Sequence, residues 1–248
     1  MADIHKVMIT MDLDLTFPNR RQFLKTLFIS FLAISVGDVF AEGFVLTPWQ
    51  TEGPFYPDRF PNDIDNDLVV INQSEHRAKG EIVHINGMVM DSTGTPIEDA
   101  VIEIWQADSN RVYIHSRSPD QDKRDRNFQG FGRFVTGPSG EYSFRTIMPV
   151  SYTMGTITRA PHIHFLVNVN HNRMLTTQMY IKGHPLNQND MVLQGVKNRE
   201  QKEVLQPEFV KIKNRDHEYS VNFNLVISKV PEHSEEDSMR HLDGMLVK

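Results

Sequence analysis

The feature that most constrains the fold is a succession of short apolar runs that end at turn-forming residues. Residues 81–91 alternate apolar and polar side chains and stop at the turn sequence 92–96, after which an apolar run resumes at 100–106. This alternation is typical of half-buried strands, and clusters of Gly, Pro and Ser form the turns between them. Further strands are predicted at 132–136, 142–146, 162–168, 175–181 and 220–228. Several short strands at this spacing predict an all-β protein with a β-sandwich core.

The sequence predicts one folded domain with long loops and little helix. Residues 81–229 form the predicted sandwich, and residues 42–80 form an N-terminal arm that contains several prolines. A helical pattern occurs at 197–205. The segment 107–130 has no apolar periodicity, and a loop of this length inside a compact domain is usually functional or disordered. The charged residues 230–248 are predicted to form a disordered tail.

Residues 1–41 have the features of an export signal. Arg20 and Arg21 precede an apolar stretch at 26–36, and Ala41 is the kind of small residue that a signal peptidase prefers. Paired arginines are typical of twin-arginine leaders, and the apolar stretch is too short to span a bilayer comfortably. The alternative is an amphipathic cytosolic helix. We therefore expect export to the periplasm or the exterior of a bacterium, without a stable membrane anchor.

Charge and cysteine content exclude several classes of protein. The net charge is −6, and Lys and Arg form no long basic block, so nucleic acid is not an expected partner. The chain contains no cysteine, which excludes disulfides, zinc–thiolate sites, iron–sulfur clusters and cysteine nucleophiles. A metal bound to this chain would therefore be held by His, Tyr, Asp or Glu.

His162 and His164 are separated by one residue in a predicted strand. Side chains two apart in a strand project from the same face, about 6–7 Å apart at the backbone, so two imidazoles here could converge on one metal ion. Alone, such a pair is more often hydrogen-bonded or on the surface than bound to a metal. Two tyrosines, Tyr113 and Tyr152, stand in predicted loops upstream of the pair.

Several motifs carry a resemblance to a known family, and they occur in order along the chain. They are Leu46-Thr47-Pro48, Gly53-Pro54-Phe55-Tyr56, Glu103-Ile104-Trp105-Gln106-Ala107, Tyr113-Ile114-His115, Phe131-Gly132-Arg133, Pro161-His162-Ile163-His164-Phe165 and Gln178-Met179-Tyr180. Together they resemble the intradiol ring-cleavage dioxygenases, nearest to protocatechuate 3,4-dioxygenase and its beta subunit. The resemblance covers nearly all of the domain and implies a β-sandwich that binds a mononuclear non-haem Fe(III).

The resemblance also implies which residues form the site. By position, its iron ligands are Tyr113, Tyr152, His162 and His164. Phenolate is a hard anionic donor that suits Fe(III) and offsets its charge in a buried site. A catechol substrate would displace Tyr152, which would accept one of its protons. Arg159 stands where the family keeps an arginine beside the substrate ring, and Gln178 matches a glutamine near the O₂ side.

The activity implied by the resemblance is insertion of both atoms of O₂ between the two hydroxylated carbons of a protocatechuate-like catechol, which gives a cis,cis-muconate. Met154 stands where protocatechuate enzymes have a tryptophan, so the pocket wall differs. The resemblance admits a homo-oligomer or a second type of subunit as partner. One alternative is a secreted transthyretin-like β-sandwich that only binds, because residues 87–104 also fit that pattern. Another is a cupin-type zinc or manganese hydrolase, which would need a Glu and a third His.

Individual residues also have simpler explanations. Trp105 fits the core better than the site, and His115 fits a structural role in its loop. His84 alternates within its strand and is expected at the surface. Arg159 could pair with a surface acid, and Gln178 could be an exposed strand residue.

Overall fold

The computed structural model describes residues 43–228, so the predicted export signal at 1–41 and the predicted tail at 230–248 lie outside the described residues. The strands are β1 (Ile82–Asp91), β2 (Val101–Trp105), β3 (Phe131–Val135), β4 (Glu141–Ile147), β5 (Tyr152–Met154), β6 (Ile157–Arg159), β7 (His162–Val169), β8 (Asn172–Tyr180), β9 (Val210–Lys211), β10 (Glu218–Asn222) and β11 (Leu225–Ile227). The helices are α1 (Met191–Gly195) and α2 (Arg199–Val204), with 3₁₀ turns at Gln121–Lys123 and Pro185–Gln188. The prediction of an all-β protein with little helix is confirmed. No helix in residues 43–228 is long and apolar enough to cross a bilayer.

Two sheets enclose the main core. In the first sheet, β1 pairs antiparallel with β4 and parallel with β10 and β11, and β9 pairs with β10. The second sheet has the order β3-β2-β7-β8 and is antiparallel throughout. Val83 and Ile85 of the first sheet and Ile104 and Phe165 of the second belong to one buried apolar cluster. Side chains from the two sheets thus pack into one core, as in a β-sandwich, where alternate residues of each strand point inward.

Strand β7 is buried on both faces, and this determines where a site can lie. Ile163, Phe165 and Val167 belong to the main apolar cluster. His162 and His164 alternate with them and therefore project from the opposite face of the sheet. Both imidazoles are nevertheless buried. A buried strand face that carries polar groups is unusual and indicates a functional site.

The N-terminal arm covers that outer face. Residues 43–80 contain no helix and form only a single bridge, at Asp67. The arm is tied to the second sheet because the amide of Gln50 donates to the carbonyl of Thr176. Phe55 of the arm packs in a second apolar cluster, whose other buried members are Trp105, Ala107, Tyr113, Phe131, Tyr152 and Leu166. The arm thus completes an enclosed aromatic site rather than a separate domain.

The C-terminal strand differs from the prediction. Residues 220–228 were expected to form one strand, but the ladder breaks at Phe223 between β10 and β11. The reason is that the carbonyl of Phe223 accepts a hydrogen bond from the Tyr142 hydroxyl, while the side chain of Asn224 accepts one from the amide of Met88. Side chains thus replace backbone partners for these two groups, while the amide of Phe223 still donates to the carbonyl of Asn86.

Gly87 in β1 should tolerate no side chain, because the Phe223 backbone crosses it closely. A Cβ at Gly87 would lie 2.0 Å from the carbonyl oxygen of Phe223 and 2.9 Å from the ring of Tyr142. We expect Gly87→Ala to destabilise the fold by about 1–3 kcal/mol, the usual range for overpacked sites. Thermal unfolding should show the loss as a lower Tm. Gly137→Ala is the control, since a Cβ there meets nothing within 4 Å; equal Tm values for the two variants would contradict the clash.

Candidate metal centre

Strand register brings the candidate residues of the second sheet into one patch. His164 lies opposite Trp105 of β2 on one side and opposite Gln178 of β8 on the other. His162 lies opposite Tyr180 in the next row. Directly opposed residues have their Cβ atoms about 4.5–5.5 Å apart on one face. The five side chains are therefore neighbours on the outer face of the sheet.

Three potential metal-binding atoms meet at this patch. The hydroxyl oxygen of Tyr113 lies 3.4 Å from Nε2 of His162 and 3.3 Å from Nε2 of His164, and the two Nε2 atoms are 3.2 Å apart. All three side chains are buried. An ion about 2 Å from each atom, the usual length of a bond from a transition metal to an imidazole nitrogen, would fit between them. The structure thus gathers three of the four predicted iron ligands.

The hydrogen bonds of the two imidazoles favour a cation at this point. Nδ1 of His162 donates to the carbonyl of Ala160 at 2.6 Å, so Nε2 of His162 carries a lone pair. Nδ1 of His164 is buried without a partner. If Nδ1 of His164 holds the ring proton, the lone pair on Nε2 of His164 faces the lone pair on Nε2 of His162. If it does not, Nδ1 of His164 is a buried acceptor without a donor. In the first case, a metal ion bound to both Nε2 atoms would remove the repulsion between their lone pairs.

Both histidines are held in the neutral form that binds metals. Burial, together with the nearby Arg159 cation, lowers the pKa of His162 to about 3. Burial also lowers the pKa of His164 well below its usual range, and His162 and Arg159 add to the effect. Near neutral pH the two imidazoles therefore offer lone pairs rather than positive charges.

Tyr152 lies in a hairpin, and the prediction that it stands in a loop was wrong. It begins β5 and pairs directly with Arg159 of β6. Its ring centroid is 5.4 Å from that of Tyr113 and 5.6 Å from that of His162. The sequence around Tyr152 lacks a visible strand pattern because each strand of the hairpin has only three residues. This short hairpin carries a second phenol and a guanidinium to the same place.

The tyrosines need a cation in order to ionise. Burial raises the pKa of Tyr113 well above its usual range, and the neighbouring Tyr152 raises it further. Burial also raises the pKa of Tyr152, although Arg159 offsets part of that effect. A multivalent cation within bonding distance would reverse both shifts. Residues 43–228 contain no group of three or more His, Asp or Glu side chains suited to a metal, so a donor set with tyrosines is the one that the described chain offers.

Arg159 is buried, and the alternative of a surface ion pair does not apply to it. Its Nε donates to Oδ2 of Asp190 at 2.9 Å, and its Nη2 donates to Oε1 of Gln178 at 2.7 Å and to the hydroxyl of Tyr180 at 3.3 Å. Burial is the largest single effect and lowers the pKa of Arg159, but the hydrogen bond to Asp190 and the nearby Tyr180, Asp190 and Tyr152 together outweigh it and leave the pKa raised. The guanidinium is therefore a permanent cation at the edge of the site.

Gln178 is fully buried, so the alternative of an exposed strand residue is wrong. Its Oε1 accepts from Arg159 and from the Tyr180 hydroxyl, and its Nε2 donates to the carbonyl of Thr51 at 2.8 Å. The amide thus links the Arg159 guanidinium to the N-terminal arm. A role in donating to O₂ stays a prediction.

Some residues of the site escaped the sequence-based assignment. Trp105 is fully buried as predicted, but its ring also stacks on that of His164, at 4.7 Å between centroids and 8° between planes. Phe55 stacks on Tyr113 with centroids 5.0 Å apart. Asp190 stands directly before the apolar run Met191-Val192-Leu193, which is a helix N-cap signal, but nothing in the sequence pairs it with Arg159. The first two stand in motifs that were recognised, so their place in the site could have been inferred.

His115 and His84 lie outside the donor cluster. His115 is buried in its loop, where its Nδ1 accepts from the amide of Arg117, in agreement with a structural role. His84 is partly buried and lies 2.8 Å from a carboxylate oxygen of Glu218. The imidazoles beside the Tyr113 hydroxyl are those of His162 and His164.

Comparison with known proteins identifies the family of this chain. A dioxygenase family model matches residues 51–228. A protocatechuate 3,4-dioxygenase beta chain from Burkholderia cepacia is 34% identical over 146 residues, which cover 57% of this chain and 62% of that protein. A catechol 1,2-dioxygenase from Acinetobacter lwoffii is 35% identical over 154 residues, which cover 56% of this chain and 48% of that protein. The chain therefore spans less than two thirds of the length of these two relatives.

Solved structures share the fold. The dioxygenase domain of a dioxygenase carbohydrate-binding protein fusion from Streptomyces sp. SirexAA-E superposes with a TM-score of 0.56 at 24% identity, over 75% of this chain and 100% of that chain. The family match contains both sheets and all the candidate site residues. The chain belongs to the intradiol ring-cleavage dioxygenase family.

Proposed function

We propose that this protein is an Fe(III)-dependent intradiol dioxygenase, which inserts both atoms of O₂ between the two hydroxylated carbons of a catechol and yields a cis,cis-muconate. The observation that carries the proposal is the approach of one phenol oxygen and two imidazole nitrogens to within 3.2–3.4 Å of each other. Tyr152 stands beside them as the fourth proposed ligand. Neutral imidazoles and phenols that only a strong cation can ionise form a donor set suited to mononuclear non-haem Fe(III).

Ferric iron, when bound, would supply a Lewis acid that holds the catechol oxygens and prepares the ring for reaction with O₂. The two tyrosines are placed for different roles. Tyr113 is 2% exposed and stacked under Phe55, whereas Tyr152 is 8% exposed and begins a hairpin whose next residue, Thr153, is exposed. Tyr152 can therefore swing aside more easily and accept a proton from the substrate, while Tyr113 stays in place.

Arg159 supplies a fixed positive charge. Its guanidinium faces Tyr152 across the hairpin and is held by Gln178, Tyr180 and Asp190 before any substrate arrives. A cation that needs no reorganisation stabilises negative charge as it develops, which is the most effective form of electrostatic catalysis. We assign it to the charge that builds up on the substrate ring.

We further propose a protocatechuate-like substrate. The protocatechuate 3,4-dioxygenase beta chain supports this choice, although other relatives are catechol and hydroxyquinol dioxygenases. Catechol enzymes usually carry an N-terminal helical domain through which they dimerise, and the arm at residues 43–80 contains no helix. Met154 and Ile157 at the hairpin tip are 39% and 38% exposed. These two side chains offer an apolar wall beside the site, and a homo-oligomer or a second subunit could complete it.

The test is oxygen uptake by iron-loaded protein with catechol, protocatechuate, hydroxyquinol and gallate. We expect uptake with at least one of them, a muconate that carries both atoms of isotopically labelled O₂, and a burgundy colour from phenolate-to-iron charge transfer. Chelation should abolish uptake, and iron but not zinc should restore it. A colourless, inactive protein at full iron loading would favour the binding-module alternative instead.

We also propose that residues 1–41 direct export through the twin-arginine route. The paired arginines and the apolar stretch that follows them support this proposal. Replacing Arg20 and Arg21 together with lysine should retain the protein inside a bacterial host, as measured by fractionation and immunoblotting. Equal export of the variant and the parent chain would refute the assignment.

A further inference from the structure

Asp190 lies at the centre of the buried hydrogen-bond network beside the proposed iron site. Its side chain is fully buried, and both of its oxygens are occupied. Oδ2 accepts from Nε of Arg159 at 2.9 Å and from the amide of Ala160 at 2.8 Å. Oδ1 accepts from Nη2 of Arg159 at 3.3 Å and from the amides of Val192 and Leu193 at 3.1 and 3.0 Å.

These contacts join two parts of the fold. The carboxylate caps the first turn of α1, so its position is set by that helix. The same carboxylate grips the guanidinium of Arg159 on its Nε edge and binds the backbone at the next residue, Ala160. The guanidinium therefore cannot rotate without breaking a charge-assisted pair. Its Nη2 is directed to Gln178 and Tyr180 of β8, in the second sheet.

We propose that Asp190 is a positioning residue that acts through Arg159 and fixes the orientation of its guanidinium beside the substrate; this inference rests on the proposed function. A simple charge partner could lie on any side of an arginine. Asp190 instead holds the side chain and the adjoining backbone together, just ahead of the point where β7 begins with His162. Its loss should leave iron binding intact and misdirect the cation.

Asp190→Asn is the first test, since asparagine keeps an oxygen that can cap α1 but removes the charge. We expect normal iron content, an unchanged charge-transfer band, and a kcat lowered by about 10–100-fold, as for other small displacements of catalytic groups. The control is Asn198→Ala, which removes the side-chain cap of α2 and touches no site residue. A kcat equal to that of the parent enzyme in Asp190→Asn would overturn the proposal.

A double-variant cycle separates positioning from simple support of the fold. In an Arg159→Met background, Asp190→Asn should lower kcat no further, because the group through which Asp190 acts is already absent. It should also raise Tm above that of Arg159→Met, since it removes the charge of a buried carboxylate that has lost its cation and keeps only backbone amides as partners. Multiplicative losses in kcat, or a Tm that falls further, would show that Asp190 acts independently of Arg159.

The activity of the iron-loaded parent protein distinguishes failure of the proposed function from failure of the positioning role. An inactive parent protein at full iron loading overturns the proposed function and this role together. An active parent protein whose kcat is unchanged by Asp190→Asn overturns only the positioning role. The Tm cycle adds a measurement that does not depend on turnover.

Discussion

Tyr113→Phe should lose both bound iron and burgundy colour, with activity lowered by more than about 100-fold, because even residues that merely support metal ligands are typically worth 10–100-fold. The substitution removes one oxygen from a site in which that atom lies 3.3 and 3.4 Å from the two imidazole nitrogens. The ring itself can stay stacked against Phe55. The variant therefore changes the donor set while it preserves the packing.

Tyr142→Phe provides the matched control for this result. Tyr142 is also buried, and its hydroxyl donates to the carbonyl of Phe223. It belongs to the main apolar cluster rather than to the cluster that contains Tyr113. We expect this variant to lose some stability but to keep its iron and its colour. Iron content is measured by elemental analysis and the charge-transfer band by absorbance. If Tyr113→Phe keeps a full complement of iron and the same band, the ligand assignment is wrong.

Arg159→Met should produce the second large effect, a fall in kcat of about 10²–10³-fold with iron still bound, which is the usual result of removing a preorganised group that stabilises developing charge. Methionine fills similar space but leaves Asp190 buried without its cation, so the fold should also be weakened. Turnover at saturating substrate, with iron measured in the same samples, separates the two consequences.

Arg133→Met is the control for the loss of an arginine that pairs with a buried carboxylate. Arg133 pairs with the buried Glu103 at 2.6 Å and packs over Phe131, without contact with the donor atoms. Its loss should lower Tm while kcat per bound iron stays near that of the parent enzyme. If Arg159→Met has the same kcat per bound iron as Arg133→Met, Arg159 has no role in catalysis.

The strand pattern was strong enough to predict the sheets, because alternation follows directly from burial of one strand face. It placed His162 and His164 on a common side, and the structure brings their Nε2 atoms to 3.2 Å. The four proposed ligands came from resemblance to a family rather than from spacing alone. The phenol of Tyr113 reaches the histidines from a loop whose path no local rule predicts.

Strand register and short elements account for what was missed. The pairing of His164 with Gln178 depends on how β7 and β8 align, which a sequence does not reveal. The hairpin that pairs Tyr152 with Arg159 is too short to show a period. Asp190 reaches Arg159 from a separate loop, and only the folded chain brings them together.

The most direct test of the central claim is anomalous diffraction at the iron K-edge from crystals of the iron-loaded protein. We predict one strong peak within bonding distance of the Tyr113 oxygen and the Nε2 atoms of His162 and His164, with the Tyr152 oxygen completing the protein ligands. An iron peak elsewhere in the fold, or none at these atoms in active protein, would contradict it.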